Sequence, residues 1–288
     1  MKVAVLGANG VYGRHLVPRL VAAGHDVRAL VRRPETTLAA RACGAEVRQA
    51  DIYDAGSLET ALAGSDLCIN VATAVPGGPS GRGSPAANDR LRREGVPLLI
   101  EACRRAGVAR LLQQGICWVG AAGEEPADES HRFEAVGEGP GMASIRAAQA
   151  MEEAVRACGL DWAILRGALF YGPGTGAEDG WFAQAQAGEF VLPGDGSDFA
   201  TFVHIADMAA ATAAAVERWP SRQVLIVADD TPVRWRDLFG HVAALTGAEP
   251  PRAGGPVRFP AFRMSNGLAK GMLGWAPRYP DYRAGLAR

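Results

Sequence analysis

The sequence carries almost no net charge. Its 30 Lys and Arg side chains stand against 31 Asp and Glu, for a formal charge of −1. No excess of one sign draws it to nucleic acid or an anionic bilayer, so neither is expected as a partner. Long apolar runs are also missing. None approaches the roughly 18–20 residues a spanning helix needs, and the alanine-rich stretch 208–216 reads as a buried helix. Cysteine is sparse and scattered. Cys43, Cys68, Cys103, Cys117 and Cys158 include no C-x-x-C pair and no nearby histidine spacing. That pattern fits reduced core thiols in a cytoplasmic protein, without a disulfide framework or a structural zinc. Met1-Lys2 runs straight into an apolar stretch, which is read as leaving no room for a signal peptide.

Several catalytic signatures are absent too. There is no G-x-S-x-G, which excludes the serine elbow of many hydrolases. His15, His25, His131, His204 and His241 show no H-x-x-x-H spacing, so no helix-borne metal pair is expected. No tyrosine occurs between Tyr53 and Tyr171.

What is present begins at the first strand. Lys2–Leu6 is apolar and leads into Gly7-Ala8-Asn9-Gly10-Val11-Tyr12-Gly13, a G-x-x-G-x-x-G turn opening an amphipathic helix. No G-K-[ST] follows, so this is not an NTP-binding loop of that kind. In strand–turn–helix context the glycines admit a pyrophosphate to the backbone, and the helix N-terminus supplies N–H donors and the positive dipole end. Residues 7 and 9–13 are therefore the expected phosphate cradle.

Strand and helix patterns alternate through the first half. Strands are expected at 2–6, 26–31, 46–50, 66–72, 109–114 and 161–165, and helices at 11–23, 36–43, 57–63, 86–106 and 144–158. Such βαβ alternation implies a parallel, doubly wound sheet with right-handed crossovers. Two irregular segments, 76–85 and 121–141, leave strand ends where ligands bind in such sheets, and either a lid or a surface loop fits them. After Arg166 the sequence becomes turn-rich, with helices expected near 205–217 and 234–245. The expected division is a dinucleotide-binding domain at 1–166 and a smaller substrate-binding region at 167–288.

The second strand ends Val31-Arg32-Arg33, without the acid that would bond the ribose hydroxyls of NAD. Guanidinium groups pair bidentately with a 2′-phosphate, which favours NADP(H). After the third strand, Asp51 and Ile52 are placed at the adenine, and Asp54 is read as a helix cap. Ala72 and Thr73, leaving the fourth strand, line the path toward the nicotinamide ribose.

Taken in order, these features resemble the short-chain dehydrogenase/reductase superfamily, in its extended and atypical, epimerase/dehydratase-like branch. Later segments carry the resemblance along most of the chain. Leu160–Arg166 with Tyr171-Gly172-Pro173-Gly174 is similar to "ilRp…lYGpG", Phe202–Ala209 to "fvHvdDvA", and Leu273–Pro280 to "LGw.PryP". The resemblance implies a Rossmann-type fold, hydride exchange with nicotinamide, a small-molecule substrate and a possible homodimer.

It also implies a Ser/Thr after the fifth strand and a Y-x-x-x-K on the next helix. Here the Ser/Thr pair falls on Gln114-Gly115. Glu152 anchors the helix so that Ser144 takes the tyrosine position and Ala148 the lysine position, with Arg146 a register alternative for the lysine. Serine is a far poorer proton donor than a tyrosine beside a lysine. The available donors are Cys117, His131, Ser144 and Tyr171. Trp118, Phe170, Trp181, Phe182 and Phe199 are read either as an apolar substrate wall or as core. Three readings follow: an NADP(H)-dependent enzyme with a non-standard proton donor, a catalytically degenerate NADP(H) sensor, or a redox-neutral enzyme on the same fold.

Overall fold

The computed structural model describes residues 1–75, 83–138 and 140–286. The first half runs β1 (Lys2–Leu6), α1 (Val11–Ala22), β2 (Asp26–Val31), α2 (Leu38–Ala42), β3 (Glu46–Gln49), α3 (Ala55–Leu62), β4 (Leu67–Asn70), α4 (Pro85–Arg90), α5 (Val96–Arg105) and β5 (Arg110–Ile116). Then come β6 (Pro126–Ala127), α6 (Pro140–Arg156) and β7 (Asp161–Gly167). The remainder adds β8 (Leu169–Tyr171), α7 (Ala177–Gln186), β9 (Val191–Pro193), β10 (Phe199–Ala200), β11 (Phe202–His204), α8 (Ile205–Glu217) and β12 (Gln223–Val227). It closes with β13 (Val233–Arg234), α9 (Trp235–Thr246), β14 (Arg252–Gly255), β15 (Arg263–Met264), α10 (Gly267–Leu273) and α11 (Tyr282–Leu286). Most of the segment expected as a lid, residues 76–82, lies outside the described residues.

Seven strands form one parallel sheet in the order β12-β7-β5-β4-β1-β2-β3. This is the expected Rossmann-type doubly wound sheet. The inner strands are buried on both faces because helices cover both. Alternate side chains of β1 therefore enter different cores. Val3 and Val5 join Leu16, Leu20 and Met208, while Ala4 and Leu6 join Leu58, Leu99 and Val155. No helix among the described residues is long and apolar enough to cross a membrane.

Two features depart from the expected pattern. The helix expected over 86–106 is interrupted by a π turn at Leu91–Gly95. The wider turn brings Asn88, Asp89, Leu91, Arg92, Gly95 and Val96 to the buried side together. Gly95 is the residue that lets the helix lie on Ile52, since a Cβ there would stand 3.0 Å from Ile52 Cδ1. Secondly, the boundary expected at 166/167 falls inside β7, and one of the sheet's two edge strands is β12, from the far side of that boundary. The later region therefore re-enters the main sheet.

The C-terminal chain is fastened below the sheet edge by polar contacts. Tyr171 donates its hydroxyl to the Asp281 carbonyl at 3.2 Å, and Asp207 accepts the Tyr279 N–H at 2.8 Å. His204 caps α8 by accepting the Ala206 N–H and lies 4.0 Å from the Tyr279 ring. Asp229, 2% exposed, sits among these groups. Burial, with Asp281, Asp230 and Asp207 nearby, pushes its carboxyl up to about 8. The folded state thus favours the protonated acid. Its contribution is complete below the ordinary carboxyl range and is lost as pH rises toward 8. Urea unfolding should show stability falling between about pH 4 and pH 8, and Asp229→Asn should flatten that fall. An unchanged slope in the variant would assign the titration to another group.

Candidate functional site

The glycine turn is built by close backbone packing. Gly7 has φ +85°, and a Cβ there would stand 2.6 Å from Ala72 Cα. A Cβ on Gly13 would stand 2.5 Å from Ala8. Both glycines are needed for the turn to seat against the chain leaving β4 and against α1. Gly10 is different. It is the N-cap of α1, and the only heavy atom a Cβ would meet is the Gly7 carbonyl oxygen, at 3.2 Å. No side chain caps α1, and its first turn holds no acid. An open, donor-rich helix start without a Cβ in the way fits a dinucleotide pyrophosphate.

Tyr12 turns away from that surface. Its phenol is buried between α1 and α8, hydrogen-bonded to the Thr212 hydroxyl and edge-on to Phe170 at 5.6 Å. Burial pushes it well above the ordinary tyrosine range. Of Tyr12, only the backbone is available to a ligand, whereas Asn9, Gly10 and Val11 stay on the partly open turn.

The other expected cofactor residues follow the strand ends. Arg32 and Arg33 are exposed directly after β2. Asp51 accepts the Tyr53 N–H at 3.0 Å, and Asp54 caps α3 by accepting from Gly56 and Ser57. Ile52 is buried beneath Gly95. Ala72 donates its N–H to Asn70 Oδ1 at 3.1 Å, and Asn70 donates to Gln113 Oε1 at 2.9 Å, tying the ends of β4 and β5. Thr73 is exposed just beyond.

Around Ala148, the expected lysine position, the packing is apolar. Ala148 is fully buried and clusters with Ile116, Val119 and Ile145, with Phe133 and Met142 packed alongside. A lysine has no place there without displacing that cluster. Ser144 is partly exposed on α6, and its carbonyl accepts from Arg92 at 3.3 Å. Arg146 donates to the carbonyls of Ala135 and Gly137, at 3.0 and 2.9 Å, so it braces the preceding loop. Beneath Gly115, Arg166 and Glu152 form a bidentate buried pair at 2.8 and 2.9 Å that joins β7 to α6.

The remaining candidate donors are dispersed. Cys117 is fully buried, and burial pushes its thiol above the ordinary range. Tyr171 is also fully buried, and burial with Asp229 and Asp207 nearby pushes its hydroxyl up. That geometry fits structural roles for both. His131 lies on an exposed turn with Nδ1 3.1 Å from Asp128 Oδ1. Only Ser144 sits at the helix position in question.

The aromatic residues do not share one wall. Trp181 packs on Phe202 and Phe239, and Phe182 is buried in the same core. Phe170 meets Tyr12, and Phe199 lies under the guanidinium of Arg234 at 4.2 Å. Trp118 alone stands beyond the end of β5, 4.2 Å from the Phe259 ring. Its buried indole N–H has no hydrogen-bond partner among the described residues.

Comparison with known proteins is consistent with this arrangement. The model of the NAD dependent epimerase/dehydratase family matches residues 3–228. A 3-diazoavenalumate denitrifying reductase from Streptomyces sp is 35% identical, with all of both chains covered. A ceramide reductase from Caulobacter vibrioides is 31% identical over 86% of this chain and 71% of its own length. Among solved structures, MoeE5 in complex with UDP-glucuronic acid and NAD superposes with TM-score 0.78 at 26% identity, covering 99% of this chain and 96% of that one.

The two kinds of glycine should separate in experiment. Gly10→Val should weaken NADPH and NADH binding by at least about a hundredfold while circular dichroism and melting stay near wild type. Gly13→Val should instead lower the melting temperature, because its side chain meets Ala8. Retained binding in Gly10→Val would place the pyrophosphate elsewhere.

Proposed function

Because the chain belongs to the NAD dependent epimerase/dehydratase family, we propose that it is an NADP(H)-dependent reductase whose substrate needs no proton from the protein, an aryl diazo compound being the first candidate. Family membership sets aside the sensor reading in favour of an oxidoreductase- or epimerase-like enzyme. The observation that carries the finer proposal is the apolar surrounding of Ala148, with serine rather than tyrosine one turn earlier.

When bound, the dinucleotide supplies a hydride. Gly7, Asn9, Gly10, Val11, Gly13 and the Tyr12 backbone hold its pyrophosphate. Arg32 and Arg33 pair with the 2′-phosphate, Asp51 and Ile52 border the adenine, and Ala72 and Thr73 line the way across the strand ends. The substrate lies on the α6 side, near Ser144 and Trp118.

Reduction of a ketone leaves an alkoxide that must be protonated, and losing a positioned general acid costs roughly 10²–10⁴-fold. An aryl diazonium differs. Hydride and the diazonium give the arene and dinitrogen, R–N2+ + H− → R–H + N2, and the leaving group departs neutral without developing an oxyanion. A site with Ala148 and Ser144 in place of Lys and Tyr is adequate for that step. The similar denitrifying reductase supports this choice of substrate class.

Incubation with NADPH and 3-diazoavenalumate should consume both and release one dinitrogen per NADPH, and Ser144→Ala should keep the rate within about tenfold. Turnover confined to ketones, with Ser144→Ala slowed by more than about a hundredfold, would instead make the serine a proton relay. On the cofactor side, NADPH should bind more tightly than NADH. Replacing Arg32 and Arg33 by alanine should erase the difference, at a cost of roughly 1–3 kcal/mol. Equal wild-type affinities would refute the NADP(H) assignment.

A further inference from the structure

A buried acid and a buried arginine in the helical segment that follows β4 are unused by the reaction described above. Asp89 and Arg92 are 4% and 8% exposed. Both face inward because the π turn at Leu91–Gly95 widens the helix there, and such turns recur at functional sites. Arg92 Nη1 lies 3.5 Å from Asp89 Oδ1, within ion-pair reach but without a hydrogen bond. No described group hydrogen-bonds that buried oxygen. The guanidinium spends one N–H on the Ser144 carbonyl, and its fork has five. Burial holds Arg92 below its ordinary range although Asp89 opposes this. Structural pairs seldom leave an acceptor orphaned at such burial.

The position of the pair selects a ligand. Helices that follow parallel strands begin at the strands' carboxyl ends, where doubly wound sheets bind ligands. A cavity of about 620 Å3 separates the starts of α4 and α6; of the pair, Asp89 lines it, together with Ser84, Ala143 and the charged Arg90, Arg93 and Glu94. Asn88, beside Asp89, accepts the Ala74 N–H at 2.9 Å, which holds this turn against the chain leaving β4, next to Thr73. With the pyrophosphate at α1 and the adenine toward β2 and β3, the other half of a dinucleotide crosses to β4, β5 and the helices after them. An acceptor lacking a donor beside a donor with spare N–H groups matches a hydroxyl, which both donates and accepts. A carboxylate ligand is repelled by Asp89, and an ammonium by Arg92.

We infer that Asp89 and Arg92 form a hydroxyl-binding pair that holds the ribose of the nicotinamide half, Asp89 accepting from a ribose hydroxyl and Arg92 donating to one. The turn of α6 that carries Ser144 and Ala148 thereby receives its cation from the neighbouring helix. This inference rests on the dinucleotide reading of the glycine turn but not on the substrate proposed above.

The test compares a whole cofactor with its adenine half by calorimetry. NADPH carries the second ribose, and adenosine 2′,5′-bisphosphate does not. Arg92→Met and Asp89→Asn should each weaken NADPH by about tenfold, the scale of one hydrogen bond to a charged group, and leave the bisphosphate within about twofold. Arg92→Lys should recover part of the loss. Asp89→Asn preserves shape and carries the test if Arg92→Met fails to fold. Equal weakening of both ligands, or unchanged NADPH affinity, would overturn the pair's role alone. A wild-type chain that bound neither ligand would remove the dinucleotide reading and this inference with it.

Discussion

Backbone meets backbone where Gly7 passes Ala72, and the ligand side of the protein depends on that approach. The sheet's order reverses at β1, so β2 and β4 flank it and diverge beyond their carboxyl ends. A side chain at Gly7 would collide with Ala72 at 2.6 Å, and one at Gly13 with Ala8 at 2.5 Å. These two contacts draw the start of α1 into the crevice between the strands. Gly10 then presents an uncapped helix start to whatever lies there. Charge at the end of β2, polar ties between β4 and β5, and the openings of α4 and α6 are all arranged around this one turn.

The second constraint is the absence of a charge at Ala148 on α6. A buried lysine needs a partner or loses its proton, and the pocket around Ala148 supplies only Ile116, Val119, Ile145 and neighbouring apolar groups. The protein has filled that position with packing. A cation reaches this helix from outside it: Arg92, in the π turn after α4, donates to the Ser144 carbonyl. Such a site still binds and orients, but it no longer holds the usual acid. That is why the chemistry is read as hydride transfer to an electrophile that releases a neutral leaving group.

Much of this was legible from sequence because the signals are local. Strands β1 and β2 and helix α8 fall where periodicity puts them, since their boundaries are set by adjacent glycines, charges and a capping histidine. Ser144 and Ala148 follow from counting back along one helix from Glu152. The rest depends on tertiary register. A π turn adds a residue to a helix whose pattern still reads as helical, so Asp89 and Arg92 pass for surface charges until the turn rotates them inward. No strand is expected at Gln223–Val227 from the sequence pattern, and only the completed sheet shows this run beside β7. The aromatic residues were equally ambiguous, because burial in a core and burial by a ligand leave the same composition.

Whether the protein donates a proton during reduction is the deciding property of the site. Single-turnover hydride transfer from NADPH to a diazo substrate, followed across about pH 6 to pH 9 in water and in deuterium oxide, answers that. The predicted rate is flat with pH and unchanged by deuterium. A rate that falls as one group deprotonates, and that slows in deuterium oxide, would reveal an acid in the site and contradict the account.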